Sequence, residues 1–246
     1  MSPSRLRRGI GMVGASAAML PALALLLATP EAAVAGAPTT SSVLTAAKRA
    51  IGKQTSVHLV VTSRSSSTSV EEHAGADLGK TRGVETISEG SQRVMIKVTP
   101  AHAYLSGNSS GLTKIVGLTA AEAKRVGKDW VSVKAGTSQY KELATSMTLS
   151  SVAGVLPTAK STRLYLPASP GKKLYTLKWD TAATSSEPAL ASTLTLSAVG
   201  ATLPVRETTT AAGGGKETVA LSKWGEHVLV SAPAAGSTIP YSKVSS

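Results

Sequence analysis

The chain has 246 residues, and 26 Lys and Arg against 14 Asp and Glu give it a formal net charge of +12. It contains no Cys and no Phe, with three Trp and five Tyr. The lack of cysteine excludes disulfides and a lipidated cysteine, and the few aromatic rings argue against recognition of bases or sugars by stacking. The lysines are scattered singly, which argues against a nucleic-acid partner and is compatible with loose binding of anionic envelope polymers.

The N-terminus has the pattern of a secretory signal peptide. Three arginines precede an uncharged stretch over residues 9–30, and small-x-small cleavage sites follow at residues 33–37. We predict a signal peptide over residues 1–35, cleaved after Ala35, and hence a secreted protein with no stable membrane anchor after cleavage. Two alternatives stay open: the uncharged run is long enough to be retained as an anchor, and Arg7-Arg8 is a poor match to twin-arginine export.

The mature chain begins with a predicted linker over residues 36–42, followed by a single domain over residues 43–246. An apolar stripe at helical spacing predicts a first helix, in which Ser41 or Ser42 can cap the N-terminus and Gly52 the C-terminus. The stripe consists of Val43, Leu44, Ala47, Ala50 and Ile51.

Strands are predicted next, because apolar residues alternate with polar ones. Two polar strands are expected around residues 68–74 and 83–89. They lie between two half-buried strands whose apolar faces are formed by Val57, Leu59 and Val61 and by Val94, Ile96 and Val98. Short polar turns between such strands indicate an antiparallel meander.

The middle of the chain is predicted to be helical. Thr119 and Glu122 have the spacing of a capping box at a helix start. A longer helical region over residues 138–156 carries two apolar stripes that are out of phase, so we expect two helices with a bend near Thr148. The stripes are Tyr140, Leu143, Ala144 and Met147, then Leu149, Val152, Ala153 and Leu156.

The last third returns to strands. We predict them at residues 161–166, 173–179, 192–199, 205–210, 218–223 and 227–231. Gly213-Gly214-Gly215 is expected at a hairpin tip, and Trp224-Gly225 at a bulge or bend in the last strands. The order of helix, strands, helices and strands predicts an α+β fold with one antiparallel sheet.

One motif resembles an enzyme. Residues 107–111 match G-x-S-x-G, and Asp180 and His227 follow Ser109 in the order found in α/β-hydrolases. That motif needs a parallel strand feeding a long helix, a layout that this chain lacks, so a polar loop is the better interpretation. The four histidines are isolated, and we expect no catalytic residues, no metal site and no cofactor.

The predicted layout leaves two possibilities open. A long antiparallel sheet facing short apolar helices can curl around a ligand cavity. The same elements can instead pack into a solid core. The residues alone favour neither.

Several segments along the chain resemble the LppX/LprA/LprF/LprG-type lipoproteins of actinobacteria and the related LolA/LolB-like carriers. The matching residues are the first helix, Ser56-Val57-His58-Leu59, residues 127–157, Leu203-Pro204-Val205-Arg206-Glu207 and residues 221–233. The resemblance implies a curved antiparallel half-barrel of about a dozen strands, with helices in its concave face and an apolar cavity that holds lipid or lipoglycan acyl chains. The chain departs from the family in lacking the lipidated cysteine and in a longer polar insertion at residues 180–190.

We therefore expect a secreted, monomeric, non-enzymatic protein that binds a lipid or lipoglycan. The expected cavity lining is Val57, Leu59, Val94, Ile96, Val98, Leu143, Met147, Val152 and Leu156. The alternative is a basic envelope or cell-wall protein with a solid core and no ligand.

Overall fold

The computed structural model describes residues 37–66, 70–154, 156–166, 173–185 and 188–245. The helices are α1 (Thr40–Lys53), α2 (Ser109–Lys114), α3 (Ala120–Val126), α4 (Ser138–Ser146), α5 (Leu149–Gly154) and α6 (Tyr241–Val244). The strands are β1 (Ser56–Arg64), β2 (Glu71–Gly79), β3 (Gly83–Glu89), β4 (Gln92–Val98), β5 (His102–Gly107), β6 (Trp130–Lys134), β7 (Arg163–Tyr165), β8 (Leu174–Thr181), β9 (Leu190–Ser197), β10 (Pro204–Ala211), β11 (Lys216–Ser222) and β12 (Thr238–Pro240).

These strands form one open sheet, in the order β12-β6-β5-β4-β3-β2-β1-β11-β10-β9-β8-β7. The neighbouring pairs are antiparallel except β12 and β6, which run parallel at one edge. Strands β1 to β6 and β7 to β11 are two meanders joined by the pairing of β1 with β11. The fold is the predicted α+β half-barrel, with one parallel strand added at its edge.

The two faces of the sheet differ in polarity because side chains alternate along a strand. In β1 and β4 the same face carries the buried residues Val57, Leu59, Val61, Val94, Ile96 and Val98. Helix α2 packs on β4 and β5, and α4 packs on β5 and β6. We call the face that the helices cover the concave face, and the opposite one the convex face.

Two hydrophobic clusters fill the space between sheet and helices. The larger cluster joins β1 to β6 and β11 with α2 to α6. The smaller one joins α1 with β8 and β9. Trp224 packs against both clusters, and its indole Nε1 donates a hydrogen bond to the carbonyl oxygen of Pro204 at 3.1 Å. The backbone turns here, with φ of 51° at Lys223 and 81° at Gly225, so the predicted bend is confirmed.

Helix α1 begins earlier than the sequence indicates. It starts at Thr40, inside the segment predicted as a linker over residues 36–42. The cap is Thr39, whose side chain accepts a hydrogen bond from the Ser42 backbone N–H at 3.2 Å while the Ser42 hydroxyl accepts from the Thr39 N–H at 2.9 Å. Ser42 is thus the third helical residue of a capping box, and the prediction of Ser41 or Ser42 as the cap was wrong.

The central helices match the prediction. Thr119 Oγ1 accepts from the Glu122 N–H at 3.2 Å, and Glu122 Oε2 accepts from the Thr119 N–H at 2.7 Å. The helical region ahead of Pro157 is divided into α4 and α5, and Thr148 lies between them. The hairpin tip between β10 and β11 also lies at the predicted glycines, with φ of 89° at Gly214.

The strand predicted at residues 227–231 was wrong. The segment carries no strand hydrogen bonding and connects β11, inside the sheet, with β12 at its edge. Both sides of β11 are occupied, by β1 and β10, so no backbone edge is free there for another strand. The Ser56 hydroxyl donates to the Glu226 carbonyl, and Lys97 Nζ donates to the Ser231 carbonyl at 3.4 Å. Because Leu229 is 80% exposed, the segment lies on the surface.

The predicted signal peptide over residues 1–35 and its cleavage site at Ala35 lie outside the described residues. Among the helices of the described part, none has the length and apolar character needed to cross a bilayer. The single domain over residues 43–246 stays a prediction.

Candidate functional site: the concave face

The strand register arranges the concave side chains in rows that run across the sheet. The end row lies where β1 ends and β2 begins, and each member is directly opposite the next. Its members from β4 to β8 are Gln92, Glu89, Glu72, Ser63, Glu217, Thr209, Ser192 and Trp179. Two residues further along each strand the side chains point the same way. The end row is therefore a polar border of the concave face.

The next rows are apolar apart from one glutamate in each. The second row consists of Val94, Ile87, Ala74, Val61, Val219, Glu207, Leu194 and Leu177. The third row consists of Val131, Leu105, Ile96, Glu85, Ala76, Leu59 and Leu221. Five of the 14 acidic residues of the chain thus face the concave side. We call them the concave-face glutamates: Glu72, Glu85, Glu89, Glu207 and Glu217.

Burial makes four of these carboxyl groups hard to ionise, those of Glu72, Glu85, Glu207 and Glu217. Glu85 is 2% exposed, and its burial raises the pKa to about 8, with the Glu72 charge adding to the rise. Burial raises the pKa of Glu72 to about 7, and the opposite residue Glu89 adds to it. Burial also raises the pKa values of Glu207 and Glu217 to about 7, and the charges of Glu207 and Glu72 contribute at Glu217. The carboxylates therefore lie near enough to repel one another.

Within the part of the chain that the structure describes, the concave-face glutamates form no side-chain hydrogen bond and no ion pair. The ion pairs found there are His58 with Asp77 at 2.7 Å and His73 with Glu71 at 3.7 Å. The sequence interpretation of isolated histidines missed both pairs, which form across or along β1 and β2. Gln92 in the end row has a buried Oε1 atom with no hydrogen-bond partner.

A cavity lies at the other side of the concave face, beside β5 and β6. Its volume is about 20 Å³. A void of about 10–15 Å³ on this measure holds one water molecule, so the cavity is far smaller than an acyl chain. Helices α2, α4 and α6 close it against the sheet. The lining is Leu105, Leu112, Val116, Leu118, Val131, Val133, Gln139, Leu143 and Tyr241.

The residues predicted to line a lipid cavity are buried between sheet and helices. Leu156 belongs to the smaller cluster, and the others belong to the larger one. Leu143 alone among them lines the 20 Å³ cavity. In this conformation the remaining eight pack against other core side chains, and their role toward a ligand stays a prediction.

The residues of the hydrolase pattern are not brought together. Ser109 opens α2 next to β5, whereas Asp180 lies on β8, eight strands away in the sheet order. His227 is exposed in the segment that connects β11 with β12. No group of three His, Asp or Glu side chains among the described residues has a geometry that could hold a metal ion.

The glycines of the same motif have a packing role. A Cβ atom at Gly107 or Gly111 would lie 2.4 Å from the carbonyl oxygen of Arg93 in β4. Asn108 holds the junction, since its Oδ1 accepts from the Gly111 N–H at 2.8 Å and its Nδ2 donates to the Ser91 carbonyl at 2.7 Å. The motif therefore packs the start of α2 directly on the backbone of β4.

Sequence reasoning missed the concave-face glutamates. Glu72, Glu85 and Glu89 were missed because the strands around residues 68–74 and 83–89 were interpreted as polar throughout. A signal was present in the spacing. Glu72 is in phase with Ala74, Ala76 and Leu78, and Glu217 is in phase with Val219 and Leu221. An acidic residue in phase with the apolar positions of its strand faces the core side.

An open antiparallel half-barrel with helices on its concave face defines the class to which the fold belongs. The solved structure of LprF from Mycobacterium bovis shares it, with 19% identity, a TM-score of 0.51, and coverage of 81% of this chain and 100% of that chain. The lipoprotein LppX from Mycobacterium tuberculosis is similar at 17% identity and a TM-score of 0.49, over 78% of this chain and 98% of that one. A LolA superfamily protein from Nitrosomonas europaea follows at 11% identity and a TM-score of 0.32, over 79% and 96%.

The likeness to LprF matches the predicted resemblance to LppX- and LprF-type proteins. At such low identity the likeness to LprF shows the shared fold. No protein-family model matches the chain, and a search of curated proteins finds no match.

Proposed function

We propose that this protein is a secreted, non-enzymatic carrier that binds a lipid or lipoglycan acyl chain between the concave face and the helices. The observation that carries the proposal is the aliphatic cavity at this interface, in a fold shared with LprF. Its lining is apolar except for Gln139 and the Tyr241 hydroxyl. Each methylene group buried there would contribute about 0.8 kcal/mol to binding.

Binding of a chain requires the cavity to grow, and the elements that close it are short. Helix α2 has six residues and α6 has four. The attachment of α6 includes a hydrogen bond from Arg125 Nη1 to the Val244 carbonyl at 2.6 Å and the three-residue strand β12. A four-residue helix exposes few backbone groups when it shifts, so we propose that ligand entry displaces α6 from the sheet.

Native mass spectrometry of the protein purified from its own host tests the proposal, followed by uptake of a fluorescent acyl probe after delipidation. Val116→Phe fills the cavity and should weaken probe binding at least fivefold, because the chain and the ring compete for one space. Val126→Phe is the matched control, since Val126 is equally buried in the larger cluster but does not line the cavity. Absence of both copurified lipid and probe uptake would contradict the proposal.

The second candidate is a basic envelope protein with a solid core, which binds anionic wall polymers through its lysines. The volume of about 20 Å³ is the observation that favours it. Sedimentation with purified cell wall that is lost on raising the salt concentration, without any lipid uptake, would support this candidate.

A further inference from the structure

The concave-face glutamates extend from the border of the sheet into its apolar interior. Glu72, Glu89 and Glu217 are half-buried in the end row. Glu207 lies one row further in, and Glu85 lies in the third row, between Ala76 and Ile96. The sheet thus presents negative charge next to aliphatic surface, which is the complement of a molecule with a cationic head and an apolar tail.

Glu85 points to a ligand independently of the end row. The residue is 2% exposed, and no described residue donates a hydrogen bond to its carboxylate. Its carboxylate oxygens keep a small contact with solvent, and a carboxylate so enclosed without a hydrogen-bond partner is unfavourable. The Glu72 charge adds to the raised pKa of Glu85, so the two carboxyl groups interact. At the far end of that row the buried Gln92 Oε1 also has no described donor.

Without a bound cation, the concave-face glutamates also repel one another. Glu72 and Glu89 are directly opposite each other, and like charges in that position repel. The chain has 26 Lys and Arg, but within its described part none of them pairs with a concave-face glutamate. A cation supplied from outside would remove both the repulsion and the missing hydrogen bonds.

We propose that the acidic end of the concave face binds the ammonium group of an amine-bearing amphiphile. The carboxylates of Glu72 and Glu217 hold the ammonium, Glu85 supplies a further acceptor, and the tail lies along the apolar rows. This inference rests on the proposed function for the tail and on the glutamates for the head.

An organic cation fits the site better than a metal ion. The five glutamates come from four strands, and among the described residues no three acidic or histidine side chains could hold a metal ion together. An alkylammonium group is larger, and its charge can be shared by carboxylates that are farther apart.

Isothermal titration at pH 8 tests the assignment with three probes, of which the two amphiphiles are kept below their critical micelle concentrations. Dodecyltrimethylammonium carries head and tail, dodecanoate carries the tail with the opposite charge, and spermidine carries ammonium groups without a long tail. Glu72→Gln and Glu217→Gln each remove a charge at nearly constant volume. We expect each variant to weaken dodecyltrimethylammonium binding about tenfold or more, because each removes one carboxylate charge that attracts the quaternary cation.

Glu71→Gln is the matched control, because Glu71 precedes Glu72 on β2, is exposed and faces the convex side. It should leave the affinity within twofold of the unsubstituted protein. An effect of Glu71→Gln as large as that of Glu72→Gln would overturn the site.

The probes separate this inference from the proposed function. Equal binding of dodecyltrimethylammonium and dodecanoate, insensitive to the glutamate variants, would overturn the ammonium site and leave lipid binding standing. Glutamate-dependent binding of spermidine without binding of either amphiphile would support the ammonium site and contradict the carrier function. No binding of any probe would contradict both.

Discussion

Gly111 lies so close to β4 that a single methyl group decides whether α2 can pack there. The Gly111→Ala Cβ would meet the Arg93 backbone at 2.4 Å, and a backbone oxygen cannot move aside as a flexible side chain can. We expect a loss of about 1–3 kcal/mol in the free energy of unfolding, as for other overpacked sites. Urea denaturation monitored by tryptophan fluorescence measures it.

Ser109→Ala is the contrasting change within the same motif. Ser109 is exposed, and its carbonyl, not its hydroxyl, accepts the hydrogen bond from Thr113 at 3.0 Å. We expect its free energy of unfolding to stay within about 0.5 kcal/mol of the unsubstituted protein. A stable Gly111→Ala variant would show that the glycine spacing has no packing role. Ester turnover abolished by Ser109→Ala would instead restore the hydrolase interpretation.

The capping box of α3 stabilises the start of a single short helix. Thr119 and Glu122 satisfy two backbone N–H groups at the start of a seven-residue helix, which is too short to be stable by itself. Thr119→Ala should lower the free energy of unfolding by about 1 kcal/mol. Thr145→Ala, at an exposed position in the last turns of α4, should change it by less than half as much. Equal effects of the two substitutions in thermal unfolding would contradict the role of the cap.

Elements whose signals are local were predictable from the sequence. The stripe of α1, the Thr119–Glu122 box, the division of the helical region near Thr148 and the turn at Trp224-Gly225 each depend on residues within a few positions of one another. The strand predicted at residues 227–231 failed because its formation depends on a free sheet edge. Whether β11 has one is decided by β1, more than 150 residues earlier in the chain.

The candidate site was less predictable than the fold, for a related reason. The aliphatic residues Val57, Leu59 and Val94 were correctly expected to be buried, since apolar periodicity reports burial. It does not report whether a cavity remains once neighbouring side chains have packed. The end row became visible only when the cross-strand register placed Glu72, Glu89 and Glu217 side by side.

At the scale of the whole molecule, a basic chain carries an acidic concave face. The pKa values of Glu72, Glu207 and Glu217 are raised to about 7 and that of Glu85 to about 8, from ordinary values near 4.5. The folded protein therefore binds more protons than the unfolded chain between pH 4.5 and 8. Linkage then makes the free energy of unfolding fall as the pH rises through this window.

We expect Tm to be highest near pH 5 and to drop by on the order of 5–10 °C by pH 8 in the absence of ligand. Below pH 4.5 the trend reverses, because the hydrogen bonds to the Thr119 backbone and side chain lower the pKa of Glu122, and its contribution is lost as that carboxylate is protonated. Repulsion among the basic residues also grows in acid. Scanning calorimetry across pH 4–9 measures the profile.

A variant isolates the glutamates from these other charges. The double variant Glu72→Gln with Glu85→Gln replaces two of the carboxyl groups whose pKa values are raised. The side-chain volume and the fold stay nearly unchanged. Its Tm should therefore vary less between pH 5 and pH 8 than that of the unsubstituted protein. Glu71→Gln with Glu226→Gln removes the same formal charge from exposed positions and should keep the original slope of Tm against pH.

If both pairs of substitutions flatten the dependence of Tm on pH equally, net charge sets that dependence. If only the first pair does, the unpaired carboxylates of the concave face set it, and saturating dodecyltrimethylammonium should raise Tm most at pH 8, where those carboxylates are ionised.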